Sequence, residues 1–205
     1  MTRNGRRTAR FVSDVPIRSL FAVQSARYRV QRRAHRGIDL EVYHHPAHAW
    51  NVGHMLDMLQ VSLDYFQQAW GPYQFPQARI VEFPSYDRNF AQAFANTIPS
   101  AETLVFTSDL AAPGALDYVA GNVAHEMAHQ YWGHQVVPAE VQGAMLLVES
   151  LAQYSAMMVL REVYGDAYVR PALRTQLSGY LSGRAWEQLE EAPLVRVGHQ
   201  RYVMY

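Results

Sequence analysis

The chain has 205 residues, 49% of them apolar and 18% charged, with 18 basic residues balanced by 18 acidic ones. That is one domain with enough apolar content for a core, and it excludes both a disordered polyelectrolyte and a globally basic nucleic-acid binder. Cysteine is absent, so there is no disulfide and no thiol nucleophile, and any metal must be held by His, Asp or Glu.

All basic residues are Arg, and ten of them fall in residues 1–36 against the single acid Asp14. This segment reads as a strand-and-turn region with Arg on its wet face, with an anionic surface or acidic partner as the alternative. Two domain segments are expected: 1–36, the end of a preceding β region, and 37–205. Thr2–Arg10 leads into a stretch broken by Asp14, Pro16 and Arg18, which is no secretory signal. Gly37–Tyr43 alternates apolar and polar residues and predicts a half-buried strand. From Ala47 to Trp70, Val52, Met55, Leu56, Leu59, Leu63, Phe66 and Trp70 recur at helical spacing up to Gly71-Pro72, which predicts an amphipathic helix. Arg79–Phe83 and Thr103–Thr107 are β-branched or aromatic runs and predict strands. Helices are expected over 115–132 and 144–164, and residues 166–195 read as helix and then loop. Ala144–Leu160 is apolar but carries Glu149, which fits a buried helix and not a membrane span. Strands first and long helices after is the order of an α+β fold.

The chemistry is concentrated in His125-Glu126-Met127-Ala128-His129. On a helix, residues four apart share a face, about 6 Å apart at Cβ. The two imidazoles can therefore serve one zinc ion, while Glu126 is placed to work on its water. This pentad arises by chance in about 2% of chains of this size and composition, so it does not carry the argument alone. A catalytic zinc needs a third protein ligand. Glu149 is the candidate, because a carboxylate in an apolar helix is costly unless it is paired or metal-bound.

The stretch from His125 to Gly133 resembles the HELAHQWFG segment of the aminopeptidase N family, a group of gluzincin metallopeptidases. Glu149-Ser150-Leu151-Ala152 resembles its NEGFA segment, with Val148 at the usual Asn position, and Ser100–Leu104 falls where the family has its GAMEN strand. Phe21–Tyr28, Leu40–Tyr43, His48–Val52 and Ala95–Pro99 are similar to a bacterial subgroup fused to ABC-type permeases. The resemblance spans about residues 11–205. It implies a thermolysin-like domain in which a small mixed or antiparallel sheet precedes the helices bearing HExxH and the third ligand, with a helical lobe truncated at the C-terminus. It implies one zinc ion on His125, His129 and Glu149, with Glu126 as general base on a zinc-activated water. It makes Glu102 the group that binds the substrate's free amine and Tyr205, with Tyr202 second, the oxyanion donor.

The function expected is zinc-dependent hydrolysis of N-terminal peptide bonds. An endopeptidase, or a catalytically weak zinc-binding module regulating a transporter, stand as alternatives. Expected partners are a peptide and a membrane permease, with no nucleic acid, and the expected location is a bacterial inner membrane through the parent protein. His44 and His45 read as strand-end surface residues and His48 and His54 as capping or packing groups; a second metal site is the alternative, disfavoured because no pair shares an orderly ligand geometry with an acid nearby. His134 reads as an exposed post-helix residue, and Tyr131 and Trp132 as packing for the site helix.

Overall fold

The structure is a computed structural model that describes residues 2–3, 6–86, 88–111 and 116–196. Two short strands, β1 (Thr2–Arg3) and β2 (Arg6–Arg7), pair with each other. The main sheet has four strands in the order β3 (Arg29–His35), β4 (Ile38–His44), β5 (Gln77–Phe83) and β6 (Thr97–Ala101). β3 and β4 are antiparallel; β4, β5 and β6 run parallel. With its helices this makes an α+β domain.

The β3–β4 hairpin turns on Arg36 and Gly37, both at positive φ (50° and 80°), which is the twist-matched two-residue turn of hairpins. The division expected at residue 36 falls inside this turn, so residues 29–35 belong to the sheet. Three arginines of the basic segment are matched locally: Arg32 pairs with Glu41 at 2.7 Å, Arg33 with Asp57 at 2.7 Å and Arg36 with Asp64 at 3.3 Å. Glu41 also takes Arg79 at 2.6 Å. Burial pushes its carboxyl up, but hydrogen bonds from Arg32 and Arg79 outweigh it and hold it below the usual range.

α1 (Val52–Trp70) carries the stripe read from the sequence. Val52, Met55, Leu56, Met58, Leu59, Leu63 and Phe66 are buried, facing Ile38, Leu40 and Val42 of β4 within one core. α1 stops at Gly71, whose φ of 104° a side chain would resist. α2 (Tyr118–Ala128) packs between α1 and α3 (Leu151–Tyr164), and α4 (Asp166–Trp186) packs on α3. No described helix is long and apolar enough to cross a membrane.

Two elements differ from expectation. Residues 103–107 are not a strand: β6 ends at Ala101, and Glu102–Phe106 form a π-helical turn with Val105 and Phe106 buried. β-Branched residues suit a pleat, but anchoring these two side chains in the core between β6 and α2 overrides that preference. The third helix also opens with a π-helical turn, Leu146–Ser150, before α3. Such turns add a residue to the helical repeat and re-aim the side chains on it; Glu149 is one of these. The outer edge of β6 is covered by residues 91–94 through Ala91–Ser100 and Phe94–Thr97 bridges.

Candidate metal centre and active site

α2 begins at Asp117, whose side chain accepts the Ala120 N–H at 2.8 Å. The same carboxylate takes His54 of α1 at 2.7 Å and the Tyr164 hydroxyl of α3 at 2.6 Å, and the Asp117 N–H donates to the Tyr168 hydroxyl of α4 at 2.7 Å. One residue thus caps the site helix and ties three others to it. Burial pushes the Asp117 carboxyl up, yet His54, the Ala120 amide and Tyr164 together hold it down at about 2. His54 moves up correspondingly, its bond to Asp117 outweighing burial.

One turn before its end, α2 presents His125, and at its end His129. His125 Nδ1 donates to Gln153 Oε1 at 2.9 Å, and His129 Nδ1 donates to the Trp132 carbonyl at 3.1 Å. Oxygen acceptors at both Nδ1 atoms put the ring protons there, so both Nε2 atoms offer bare lone pairs. Those atoms lie 3.1 Å apart, and Glu149 Oε2 lies 3.4 Å from one and 3.3 Å from the other. Three lone-pair donors converge on one point, which is repulsive without a cation. Zinc bonds of 2.0–2.1 Å in a tetrahedron set ligand atoms roughly 3.3–3.4 Å apart, so the residues fit that ion. The outer hydrogen bonds to Gln153 and Trp132 fix the rings as metal centres require.

Charge follows this geometry. Burial raises the Glu149 carboxyl, but the two imidazoles beside it outweigh that and bring it to about 2. Burial would lower His129, and Glu149 and Glu126 reverse that and push it up. Glu126 is 5% exposed. Its burial raises the carboxyl against the pull of both imidazoles and the Ala93 amide. Its Oε2 has no hydrogen-bond partner, an orphaned acceptor in a buried place. All four side chains line one cleft of about 960 Å³, walled on one side by residues 89–93.

The structure brings His125, His129, Glu149 and Glu126 together. Glu102 is not among the residues lining the cleft. The π-helical turn that starts at Glu102 sets its carboxylate against the Ser85 N–H at 3.3 Å and His48 at 3.9 Å. Tyr202 and Tyr205 lie outside the described residues. Several histidines also depart from expectation. His44 is buried, with Nδ1 bonded to the His45 carbonyl at 2.8 Å. His54 holds Asp117 of another helix, and His48 has two acids beside it. His134 is buried, with Nε2 donating to the Ala93 carbonyl at 3.0 Å. Tyr131 is buried and packs on Phe66 and Trp70, as expected of it. Gln153 and Asp117 were missed by sequence reasoning. The signals were a Gln one helical turn after Glu149 and an Asp immediately before the apolar run of α2.

The peptidase family M1 domain model matches residues 33–194. Among curated proteins, glutamyl aminopeptidase of Bos taurus is 25% identical over 126 residues, covering 61% of this chain and 13% of that protein. The glutamyl aminopeptidase of Mus musculus is 26% identical over 130 residues, 62% of this chain and 14% of that protein. Aminopeptidase A of Gloydius brevicauda is 25% identical over 152 residues, covering 72% and 16%. The chain therefore spans only 13–16% of the length of these relatives. With the match running from β3 past the end of α4 and enclosing His125, Glu126, His129 and Glu149, this chain belongs to peptidase family M1.

Proposed function

We propose that this chain is the zinc-binding catalytic part of an aminopeptidase. His125, His129 and Glu149 would hold one zinc ion, and Glu126 would be the general base. The observation that carries this reading is the convergence of three lone-pair donors beside a buried carboxylate with an unpartnered oxygen. The regulatory-module alternative has no observation in its favour, since Glu126 is present and faces the cleft.

Zinc, when bound, supplies Lewis acidity that polarises a carbonyl and acidifies water. Glu126 then takes the proton of the attacking water on its free oxygen and returns it to the leaving amine. Burial suits Glu126 to both transfers, because it makes the carboxylate a stronger base than an exposed one and lets it hold the proton between them. Gln153 and the Trp132 carbonyl keep the imidazoles in the tautomer that binds metal. The aminopeptidase assignment, as against an endopeptidase, leans on the names of the three relatives.

The test uses the full chain and peptides carrying a C-terminal aminocoumarin. Stripping with a chelator should abolish hydrolysis, and zinc should restore it. Peptides with a free amine should be cut and their N-acetylated counterparts spared. Hydrolysis unaffected by chelation would overturn the metal assignment, and equal cutting of blocked peptides would make the chain an endopeptidase.

A further inference from the structure

The turn that follows α2 carries a buried histidine, His134, that is neither a metal ligand nor the general base. Its Nε2–H donates to the Ala93 carbonyl at 3.0 Å. Ala93 belongs to the segment that walls the metal cleft, and Ala93, Glu126 and His134 all line that cleft. The turn is itself fixed: the Val136 N–H donates to the Tyr131 carbonyl at 2.7 Å and the Gly133 N–H to the Val136 carbonyl at 3.0 Å.

The wall runs antiparallel to β6. The Gln92 and Phe94 N–H groups donate to the Pro99 and Thr97 carbonyls at 3.1 and 2.8 Å, and the Phe90 carbonyl accepts the Ala101 N–H at 2.9 Å. In an antiparallel pair the residues between these turn their backbone groups the other way, so those of Ala93 face away from β6, toward the end of α2. Three side chains spaced four residues apart meet the wall there. Glu126 receives the Ala93 N–H. Gln130, 1% exposed, donates to the Phe94 carbonyl at 3.0 Å and accepts the Asn96 N–H at 2.8 Å. His134 takes the Ala93 carbonyl. Ala93 is therefore held at both polar groups, by the general base on one side and by His134 on the other.

The choice of an imidazole is informative. With the ring proton on Nε2, Nδ1 is a bare acceptor, and it is buried without a hydrogen-bond partner. Burial pushes the ring's pKa down against the pull of the Ala93 bond, so the imidazole stays neutral. A buried nitrogen in that state is a cost that an apolar ring of the same size would not carry. What the imidazole adds is the bond to Ala93.

We infer that His134 is a positioning residue for hydrolysis: by fixing Ala93 it holds the cleft wall in register with α2 and keeps the Glu126 carboxylate aimed into the cleft. It acts through Ala93 and not on the substrate or the metal. The inference rests on the peptidase reading and adds to it the group that orients the general base. Support of this kind is what keeps a catalytic side chain within a fraction of an ångström of its working position.

The test compares three variants of the full chain, loaded with zinc, on the aminocoumarin peptides. His134→Phe keeps a ring and removes the donor. His134→Ala removes the donor without crowding the turn, and stands in if the phenyl ring is not accommodated. His134→Gln keeps an N–H donor at a similar reach. The two variants without a donor should lose about 10–100-fold in kcat, with KM and zinc content unchanged, and His134→Gln should recover most of that loss. Hydrogen exchange over residues 90–96 needs no turnover: it should quicken in the variants without a donor and stay slow in His134→Gln, with α2 unaffected. Absence of hydrolysis by the unmodified chain would sink the peptidase reading and the catalytic half of this inference, while exchange would still decide whether His134 holds the wall. The inference is overturned by an unchanged kcat in His134→Phe and His134→Ala, by a change confined to KM, by a loss that follows lost zinc or that His134→Gln does not recover, or by unchanged exchange at residues 90–96.

Discussion

The chain builds two clusters of histidine and carboxylate, and they differ in where the protons can go. At His125, His129 and Glu149, both Nδ1 protons are committed to oxygens outside the cluster, so nothing but a cation can fill the centre. At His48, Glu82 and Glu102, the imidazole turns its Nδ1 toward the carboxylates themselves. One proton shared between His48 and Glu82 does there what a metal would do. The lesson is that the outer hydrogen bond of a histidine decides whether its cluster demands a metal or is closed by a proton.

The largest effect should come from Glu126→Gln. It keeps shape and removes the base, so hydrolysis should fall by about 10²–10⁴-fold while zinc content holds. Activity that survives would break the distinction between a catalytic cluster and a structural one. Next, Gln153→Leu frees the His125 ring to change tautomer. Zinc affinity at the α2 site should drop about 10–100-fold in competition with a chromophoric chelator. Unchanged affinity would show that the His125 ring keeps its tautomer without Gln153.

Asp117→Ala removes the cap of the site helix and its ties to α1 and α3. Urea unfolding should show a loss of about 1–2 kcal/mol. The smallest effect is the pH dependence of the Asp117–His54 pair. The Asp117 carboxyl lies at about 2, below its ordinary 3.8, so its stabilisation is present above pH 3.8 and fades as pH falls toward 2. His54 is raised above 6.5, so its stabilisation is complete below 6.5 and is lost as pH climbs through the raised value. A double-mutant cycle between Asp117→Asn and His54→Gln should therefore give its largest coupling between pH 3.8 and 6.5. After screening at these partly buried positions, that coupling should be about 1 kcal/mol. Coupling that does not vary with pH would mean that the pair acts as a neutral hydrogen bond.

Much of this architecture was open to reading from the chain. The α1 stripe was legible because its apolar residues recur at helical spacing whatever the stripe packs on. His125 and His129 were legible because four residues on a helix is a fixed geometry, and Glu149 because a charge in an apolar helix needs a reason. The π-helical turn at Glu102–Phe106 was not legible. Its residues favour a strand locally, and only the burial of Val105 and Phe106 against elements distant in sequence reverses that. Gln153 could have been found from its helical offset to Glu149, but its bond to His125 depends on how α3 packs against α2.

Local periodicity and side-chain chemistry thus specify the helices, the HExxH face and the choice of candidate metal ligands, since these are settled within a turn or two of backbone. Packing specifies the rest. The parallel order of β4, β5 and β6, the turning of Glu102 away from the cleft and the meeting of His48 with Glu82 join residues 20 to 54 positions apart. No local preference encodes such a meeting; it exists only once α1 has crossed the sheet and brought the strand ends side by side.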